Sequence, residues 1–243
     1  MHLTDSEIIK KFKIKPNDRV LDVGGSMNQH RGMAVDTLVD AIRPEESKHY
    51  KSKLLAKNFV RLDLDVDKFP FKDNEFDFCL CTHTLEDLPY PFLAISEMSR
   101  VAKRGYISTP SFGQDITLSH VNFTDWKTGV RRVPGVAHHK WLFYEKGGIM
   151  NVVPKNYPLL YSSEFQFTKW NGDDEFRLYW KGKINYSEFK DLDFEALIKE
   201  YRGFVGRNKS RLSRFPLAAV YLDNPFYYAK ELIKLILGRG YGF

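Results

Sequence analysis

Over its first 110 residues the chain is a succession of short apolar runs separated by amphipathic segments, and few folds accept that pattern. RVLDVGG (19–25) is a near-continuous apolar run closed by glycines, the pattern of a strand buried on both faces. MAVDTLV (33–39), NFVRLDL (58–64), FDFCLCT (76–82) and YISTP (106–110) read as four further strands. Thr4 with Glu7 is a capping-box pattern and predicts a short helix to about Phe12. Pro44 followed by EESKHYKSKLLAK predicts a second helix. PFLAISEMSRVAK (91–103) predicts a third, capped by Arg104-Gly105. Strands alternating with helices predict an α/β fold, a Rossmann-like, doubly wound, mostly parallel sheet.

The second half has a different texture. Residues 111–137 read as a long polar loop. KWLFYEKGGIMNVVPK (140–155) predicts a hairpin turning at Lys146-Gly147-Gly148. EFQFTKW (164–170) and EFRLYWKG (175–182) flank an Asn-Gly-Asp-Asp turn and predict further hairpin structure. NPFYYAKELIKLILGRGYGF (224–243) reads as a final helix docked on the domain. The expected organisation is one domain, 1–243, with a hairpin-rich C-terminal elaboration after residue 112.

The formal net charge of +6 is unevenly spread. Residues 1–100 hold 15 basic and 17 acidic side chains, whereas residues 201–243 hold 8 and 2. Whatever the first hundred residues bind, they bind without a basic surplus. YRGFVGRNKSRLSR (201–214) has five basic residues and no acid, a pattern open to an anionic partner such as nucleic acid. Cys79 and Cys81 sit two apart in a strand and cannot form an ordinary bridge to each other, which suits a reducing, cytoplasmic compartment. No apolar run approaches the roughly 18–20 residues of a membrane span, and no signal-peptide pattern is expected.

Open α/β sheets bind ligands at the carboxyl ends of their strands. Those ends carry Asp22-Val23-Gly24-Gly25-Ser26, Asp40, Asp63, Cys81-Thr82-His83 and Ser108-Thr109-Pro110-Ser111. A glycine turn lets a ligand approach backbone N–H groups. A carboxylate after the second strand can hold both hydroxyls of a ribose. One after the third can accept from an adenine amino group. Together they describe an adenosine-type pocket. Each acid alone is an ordinary solvated strand end; their order and spacing carry the reading.

The blocks RVLDVGGS, LVD, DLDVDKFPFKDNEFDFCLCTHTLEDL and SEMSRVAKRGYISTPS resemble class I S-adenosylmethionine-dependent methyltransferases over roughly residues 15–112. The middle block is the most specific, with Pro70-Phe71, Asp73, Phe76-Asp77, Leu85-Glu86, Glu97, Arg100-Val101 and Gly105 in register. It points to a small-molecule or glycan-type branch with PF-x-D-x-x-F-D and LED motifs. The resemblance implies S-adenosylmethionine as cofactor and S-adenosylhomocysteine as product, with residues 1–112 as the cofactor-binding core. It implies that Asp22, Gly24, Gly25 and Ser26 face the methionine moiety and that Asp40 holds the ribose, with Asp36 as fallback. Asp63 would accept from adenine, Leu64 would pack on the ring, and Cys81, Thr82 and His83 would line the floor beneath the sulfonium.

Three departures stand out. The family's Gly-x-Gly-x-Gly spacing is here Gly24, Ser26, Asn28. About eight residues separate Gly25 from the second apolar run, too few for a usual crossover helix. That helix must be missing or reduced to a turn, and Arg31 becomes the candidate partner for the cofactor's carboxylate. Glu86-Asp87 replaces the family's more frequent Glu-His, so a general base, where the reaction needs one, must come from elsewhere. His138 and His139, in GVAHHKW after the fifth strand, are the candidates for base or substrate contact, with His120 weaker. Adjacent strand residues face opposite ways, so one of the pair is expected at the pocket. Cys79-x-Cys81 with His83 could ligate a metal, but a buried strand uses cysteine as small apolar filler, and no metal is expected.

The expected reaction is methyl transfer to an oxygen or nitrogen of a small-molecule or glycan acceptor. One rival is a nucleic-acid methyltransferase using residues 201–214, although no Asn-Pro-Pro-Tyr-like motif follows the fourth strand. The other is a non-catalytic binding module on the same scaffold.

Overall fold

The computed structural model of the chain describes residues 3–48, 51–118, 133–190 and 193–214. His120 and the expected final helix at 224–243 lie outside the described residues. Helix α1 (Asp5–Phe12) starts as the capping box requires: Thr4 N–H donates to Glu7 Oε2 (2.8 Å), and Glu7 N–H donates to the Thr4 hydroxyl (3.4 Å). The strands β1 (Val20–Val23), β2 (Thr37–Asp40), β3 (Asn58–Arg61), β4 (Phe78–Thr82) and β5 (Arg104–Pro110) follow, with helix α2 (Phe92–Val101) between the last two. They form a parallel sheet in the order β3-β2-β1-β4-β5. This is the Rossmann-like fold expected from the strand pattern. No helix crosses between β1 and β2.

Alternation along the strands sends side chains to two cores. Val20, Phe78, Leu80 and Tyr106 face α1, where Ile8, Phe12, Met33 and Val35 cover them. Leu21, Val23, Cys79, Cys81 and Ile107 face the opposite way, against Ala94, Ile95 and Met98 of α2. Met33 and Val35 thus help α1 cover the sheet beside the missing crossover helix. The Glu-x-x-Arg pair of α2 has a clear structural task. Glu97 Oε2 accepts from Phe69 N–H (2.8 Å) and Arg100 Nη2 (2.6 Å), while Arg100 donates to the carbonyls of Phe69 and Phe71. The pair clamps the Pro70-Phe71-x-Asp73 segment to the helix.

The chain continues through α3 (Phe112–Asp115), β6 (Trp141–Lys146), β7 (Ile149–Pro154), α4 (Tyr157–Leu160), β8 (Lys169–Trp170), β9 (Glu175–Lys181), β10 (Tyr186–Glu188), α5 (Phe194–Arg207) and β11 (Leu212–Ser213). The β6–β7 hairpin forms as expected, with positive φ at both Gly147 and Gly148, as a tight two-residue turn demands. One side of this hairpin (Phe143, Met150, Val152) packs on the central core. The other (Leu142, Tyr144, Val153) joins a second core with Phe112, Leu160, Phe165, Tyr201 and Phe204.

Three expectations are corrected. The helix after Pro44 is a single 3-10 turn, Pro44–Glu46. Side chains intercept the backbone that would have propagated it: Leu54 N–H donates to Glu45 Oε1, Leu55 N–H to Gln29 Oε1, and Gln29 Nε2 to Lys53 O. Arg104-Gly105 is not a helix cap. Helix α2 ends at an extended Ala102, and Arg104 already begins β5. Residues 164–182 do not form a hairpin. β9 pairs antiparallel with β5 over seven residues, Arg104 to Pro110, while β8 pairs with β11. The open edge of β5 offers a full ladder that a two-residue β8 cannot match.

Candidate functional site

The strand order reverses between β1 and β4, and at such a switch point ligands enter a crevice at the carboxyl ends. Gly24 has φ +78°, and a Cβ there would stand 2.2 Å from Thr84 Cγ2. A Cβ on Gly25 would stand 2.0 Å from Asp22 Oδ2. Only glycines therefore let the loop after β1 fold down onto the buried Asp22 on one side and Thr84 on the other. Ser26 N–H, donating to Asp40 Oδ2 at 3.0 Å, ties the loop to the end of β2. The loop surrounds three buried polar atoms that have no hydrogen-bond partner: Asp22 Oδ1, Ser26 Oγ and His30 Nε2. Burial pushes the Asp22 carboxyl up to about 6. His30 opposes that rise, and Asp40 and Asp5 add to it. His30 is anchored from behind, its Nδ1 lying 2.6 Å from Asp5 Oδ1.

The other expected cofactor residues fall on the same edge with different exposures. Asp40 closes β2 with both oxygens accepting backbone N–H groups, from Ser26 and Ile42. Asp63 lies two residues beyond β3, exposed, its Oδ1 accepting from Asp65 N–H. Leu64 is buried in the central core. Arg31 is exposed on the loop whose buried cation-capable group is its neighbour His30. The fallback Asp36 is corrected: it precedes β2, at the opposite end of the sheet, where it accepts from Val20 N–H and pairs with Lys57.

After β4 the chain turns sharply, with His83 at φ +52°. Thr82 is half-buried at the strand end. The Cys81 side chain is fully buried in the central core, which corrects its placement beneath the sulfonium: it shares a strand face with Cys79. His83 leaves that face because of its left-handed backbone, and its ring sits between Glu175 (Nε2–Oε1, 2.9 Å) and Glu86 (Nδ1–Oε1, 3.3 Å). Burial disfavours its charge, but the two carboxylates prevail and raise its pKa to about 9. His83 is thus protonated at neutral pH and serves as a hydrogen-bond donor. Burial raises the Glu86 carboxyl, against the pull of His83 and His139.

His138 and His139 sit in the turn before β6, so strand alternation does not separate them. Both face Asp87, correcting the expectation that one of them turns away. His138 Nε2 lies 3.6 Å and His139 Nε2 3.9 Å from Asp87 Oδ1, with the two rings perpendicular. His138 is exposed; His139 is buried, its Nδ1 2.8 Å from Asp115 Oδ2. Asp115 in turn lies 3.7 Å from the fully buried ammonium of Lys155. Lys140 N–H donates to Glu86 O and Trp141 Nε1 to Leu88 O, pinning the histidine segment to the turn after β4. Sequence reasoning missed His30, Thr84, Asp87, Asp115 and Glu175. Asp87 and Thr84 had a signal, being beside motif residues; Asp115 and Glu175 had none, because they meet their histidines across 24 and 92 residues.

A parallel sheet with this order, a glycine loop over a buried Asp22, and acids closing β2 and following β3 form a ligand crevice of the Rossmann-like type. Residues 21–108 match the family described as "Methyltransferase domain". The unpartnered Asp22 Oδ1, Ser26 Oγ and His30 Nε2 fit the amino and carboxylate groups of S-adenosylmethionine, the cofactor of class I methyltransferases. The chain is 30% identical over 127 residues to an uncharacterized protein of Methanocaldococcus jannaschii, covering 50% of this chain and 53% of the relative; it spans about half that protein's length. It is similar to the crystal structure of a SAM-dependent methyltransferase from Aquifex aeolicus (26% identity, 45% of this chain, 66% of that one, TM-score 0.35). A second similar structure is a SAM-dependent methyltransferase from Methanosarcina mazei (22% identity, 45% of this chain, 59% of that one, TM-score 0.34).

Proposed function

We propose that residues 1–243 form one domain of a cytoplasmic enzyme that methylates an oxygen or nitrogen of a small-molecule or glycan acceptor. The observation that carries this reading is the set of buried, unpartnered polar atoms around Gly24–Ser26 at the switch point. S-adenosylmethionine supplies a sulfonium methyl that an acceptor lone pair takes by in-line displacement, leaving S-adenosylhomocysteine. Asp22, Ser26 and His30 hold the methionine end, and Gly24 and Gly25 admit it to the backbone. His30 takes the carboxylate-binding part expected of Arg31. Asp40 retains lone pairs for the ribose hydroxyls beyond its two backbone bonds. Asp63 accepts from the adenine amino group, with Leu64 beneath the ring. Thr82 and the protonated His83 border the reacting end. On the acceptor side, His138 and His139 touch the substrate. Asp115 holds the His139 Nδ1 proton, so Nε2 is the nitrogen that takes a proton from a hydroxyl. The protein's main contribution is alignment of donor and acceptor.

Among the described residues no helix is long and apolar enough to cross a membrane. Intramolecular contacts already occupy three of the five cations of 201–214: Arg202 pairs with Glu164, Arg207 lies over Tyr144 and Arg214 over Phe167. That favours a small acceptor over a nucleic-acid track. Isothermal titration calorimetry with S-adenosylmethionine tests the reading. One site per chain is expected, weakened by ~1–3 kcal/mol in Asp63→Ala. No binding at millimolar cofactor would overturn the enzyme and leave the binding-module alternative.

A further inference from the structure

We propose that Asp87, His138 and His139 bind a divalent transition-metal ion of the zinc type, with one coordination position left open. Each residue offers a ligand atom within 4.8 Å of the other two. The two Nε2–Oδ1 separations are 3.6 and 3.9 Å. Tetrahedral ligands at about 2.1 Å from a zinc ion stand roughly 3.4 Å apart, so these two separations close by a few tenths of an ångström.

Two independent observations point to a cation between these groups. Asp87 Oδ1 is buried and has no hydrogen-bond partner, although two imidazole nitrogens face it. The carboxylate of Asp115 against His139 Nδ1 occupies that nitrogen and turns Nε2 towards Asp87, so Nε2 is the ring atom presented to a shared cation. A carboxylate on the far nitrogen is also the usual outer support of a metal-bound histidine.

The frame is built before any ion arrives. Lys140 N–H to Glu86 O (2.7 Å), Trp141 Nε1 to Leu88 O (2.9 Å) and Tyr157 Oη to Ala137 O (2.8 Å) hold the 137–141 segment against the turn carrying Asp87. Two imidazoles and one carboxylate suit zinc or cobalt better than magnesium or calcium, which prefer oxygen ligands alone. Three protein ligands leave the fourth position open, as in sites that take up a water or substrate oxygen. Assigning that position to the acceptor rests on the methyltransferase reading; the metal site itself does not. An ion here uses the Nε2 lone pairs that proton abstraction would otherwise use, so the two roles exclude each other while metal is bound.

The test uses the full chain without a polyhistidine tag, stripped with chelator and titrated with Zn²⁺ by calorimetry and with Co²⁺ by visible absorption. One ion per chain is expected, with a cobalt spectrum showing nitrogen and oxygen ligands in four- or five-fold coordination. Asp87→Asn and His138→Asn should each weaken Zn²⁺ binding at least tenfold. Asp115→Asn should weaken it through the outer contact, by roughly tenfold or more. His139→Asn leaves Asp115 buried without its partner and can unfold the segment, so the two exposed-side variants decide, with circular dichroism confirming their fold. Less than one ion per chain, or an affinity unchanged in both Asp87→Asn and His138→Asn, overturns the site. S-adenosylmethionine binding without Zn²⁺ binding overturns only the metal; Zn²⁺ binding without S-adenosylmethionine binding overturns only the methyltransferase reading.

Discussion

The loop after β1 and the turn before β6 both place buried polar groups near the strand ends, but they are organised in opposite ways. Around Gly24–Ser26 the side chains are few and small, and three polar atoms are left unpartnered. Around His139 the charged groups are connected in series, Lys155 to Asp115 to His139, with Asp87 at the end. The first region is a cradle of polar atoms without protein partners. The second is a scaffold that orients one ring. Vacant polar atoms cost stability and favour binding; a connected chain of charges contributes rigidity.

That contrast breaks first at Asp115. Asp115→Ala leaves the Lys155 ammonium, fully buried, without its carboxylate, and is expected to cost about 3–5 kcal/mol by denaturant unfolding. Adding Lys155→Met should recover part of it. A single-variant loss below about 1 kcal/mol would mean the chain of charges holds nothing in place.

Next in size is Gly24→Ala. The added Cβ meets Thr84 at 2.2 Å in a left-handed backbone, so a loss of about 2–3 kcal/mol is expected, with cofactor affinity lost as well. Thr84→Ala in the same chain should relieve the crowding and leave the backbone strain.

The cradle's own cost appears at Asp22. Its folded pKa of about 6 lies above the ordinary 3.8, so the native state holds the proton longer than the unfolded chain does. Wild-type stability therefore falls as pH rises from about 4 through 6. Asp22→Asn should be more stable than wild type above pH 6, by about 1–3 kcal/mol, with no difference below pH 4. The same variant should bind S-adenosylmethionine more weakly. Equal melting temperatures at pH 5 and pH 8 would show that the carboxylate is already satisfied.

The smallest effect is at His83, where the sign reverses. Its folded pKa, about 9, lies above the ordinary 6.5 because Glu86 and Glu175 outweigh its burial. The stabilisation is complete below pH 6.5 and is lost as pH rises through about 9. His83→Gln should lose about 1–2 kcal/mol at pH 6 and nothing near pH 10. A deficit that does not shrink with pH would assign it to packing rather than charge.

Legibility from sequence followed the range of the interactions. The capping box at Thr4, the five parallel strands and the Lys146-Gly147-Gly148 turn depend on neighbours in the chain and formed at the predicted segments, although β2 starts at Thr37, four residues after the run's first residue. The missing β1–β2 helix was also readable, because a crossover needs length. The helix after Pro44 failed because Gln29 captured its backbone groups from 24 to 26 residues away. The hairpin at 164–182 failed because β5, some 70 residues earlier, offered the better partner. The strand-end positions of Asp22, Gly24, Gly25, Asp40 and Asp63 were legible because a parallel sheet delivers every strand's carboxyl end to one edge. Asp36 and Cys81 were misplaced for lack of the strand boundary and the face.

The alternating sheet and its order of acids and glycines could be read along the chain. Those depend on periodicity and on the directional rule of parallel strands, both local properties. Only the tertiary structure decided which buried atoms lack partners and which carboxylate meets which histidine. Burial and electrostatics depend on all neighbours in space, and His83 with Glu175, or His139 with Asp115 and Asp87, become neighbours only once the sheet and the β6–β7 hairpin have closed around them.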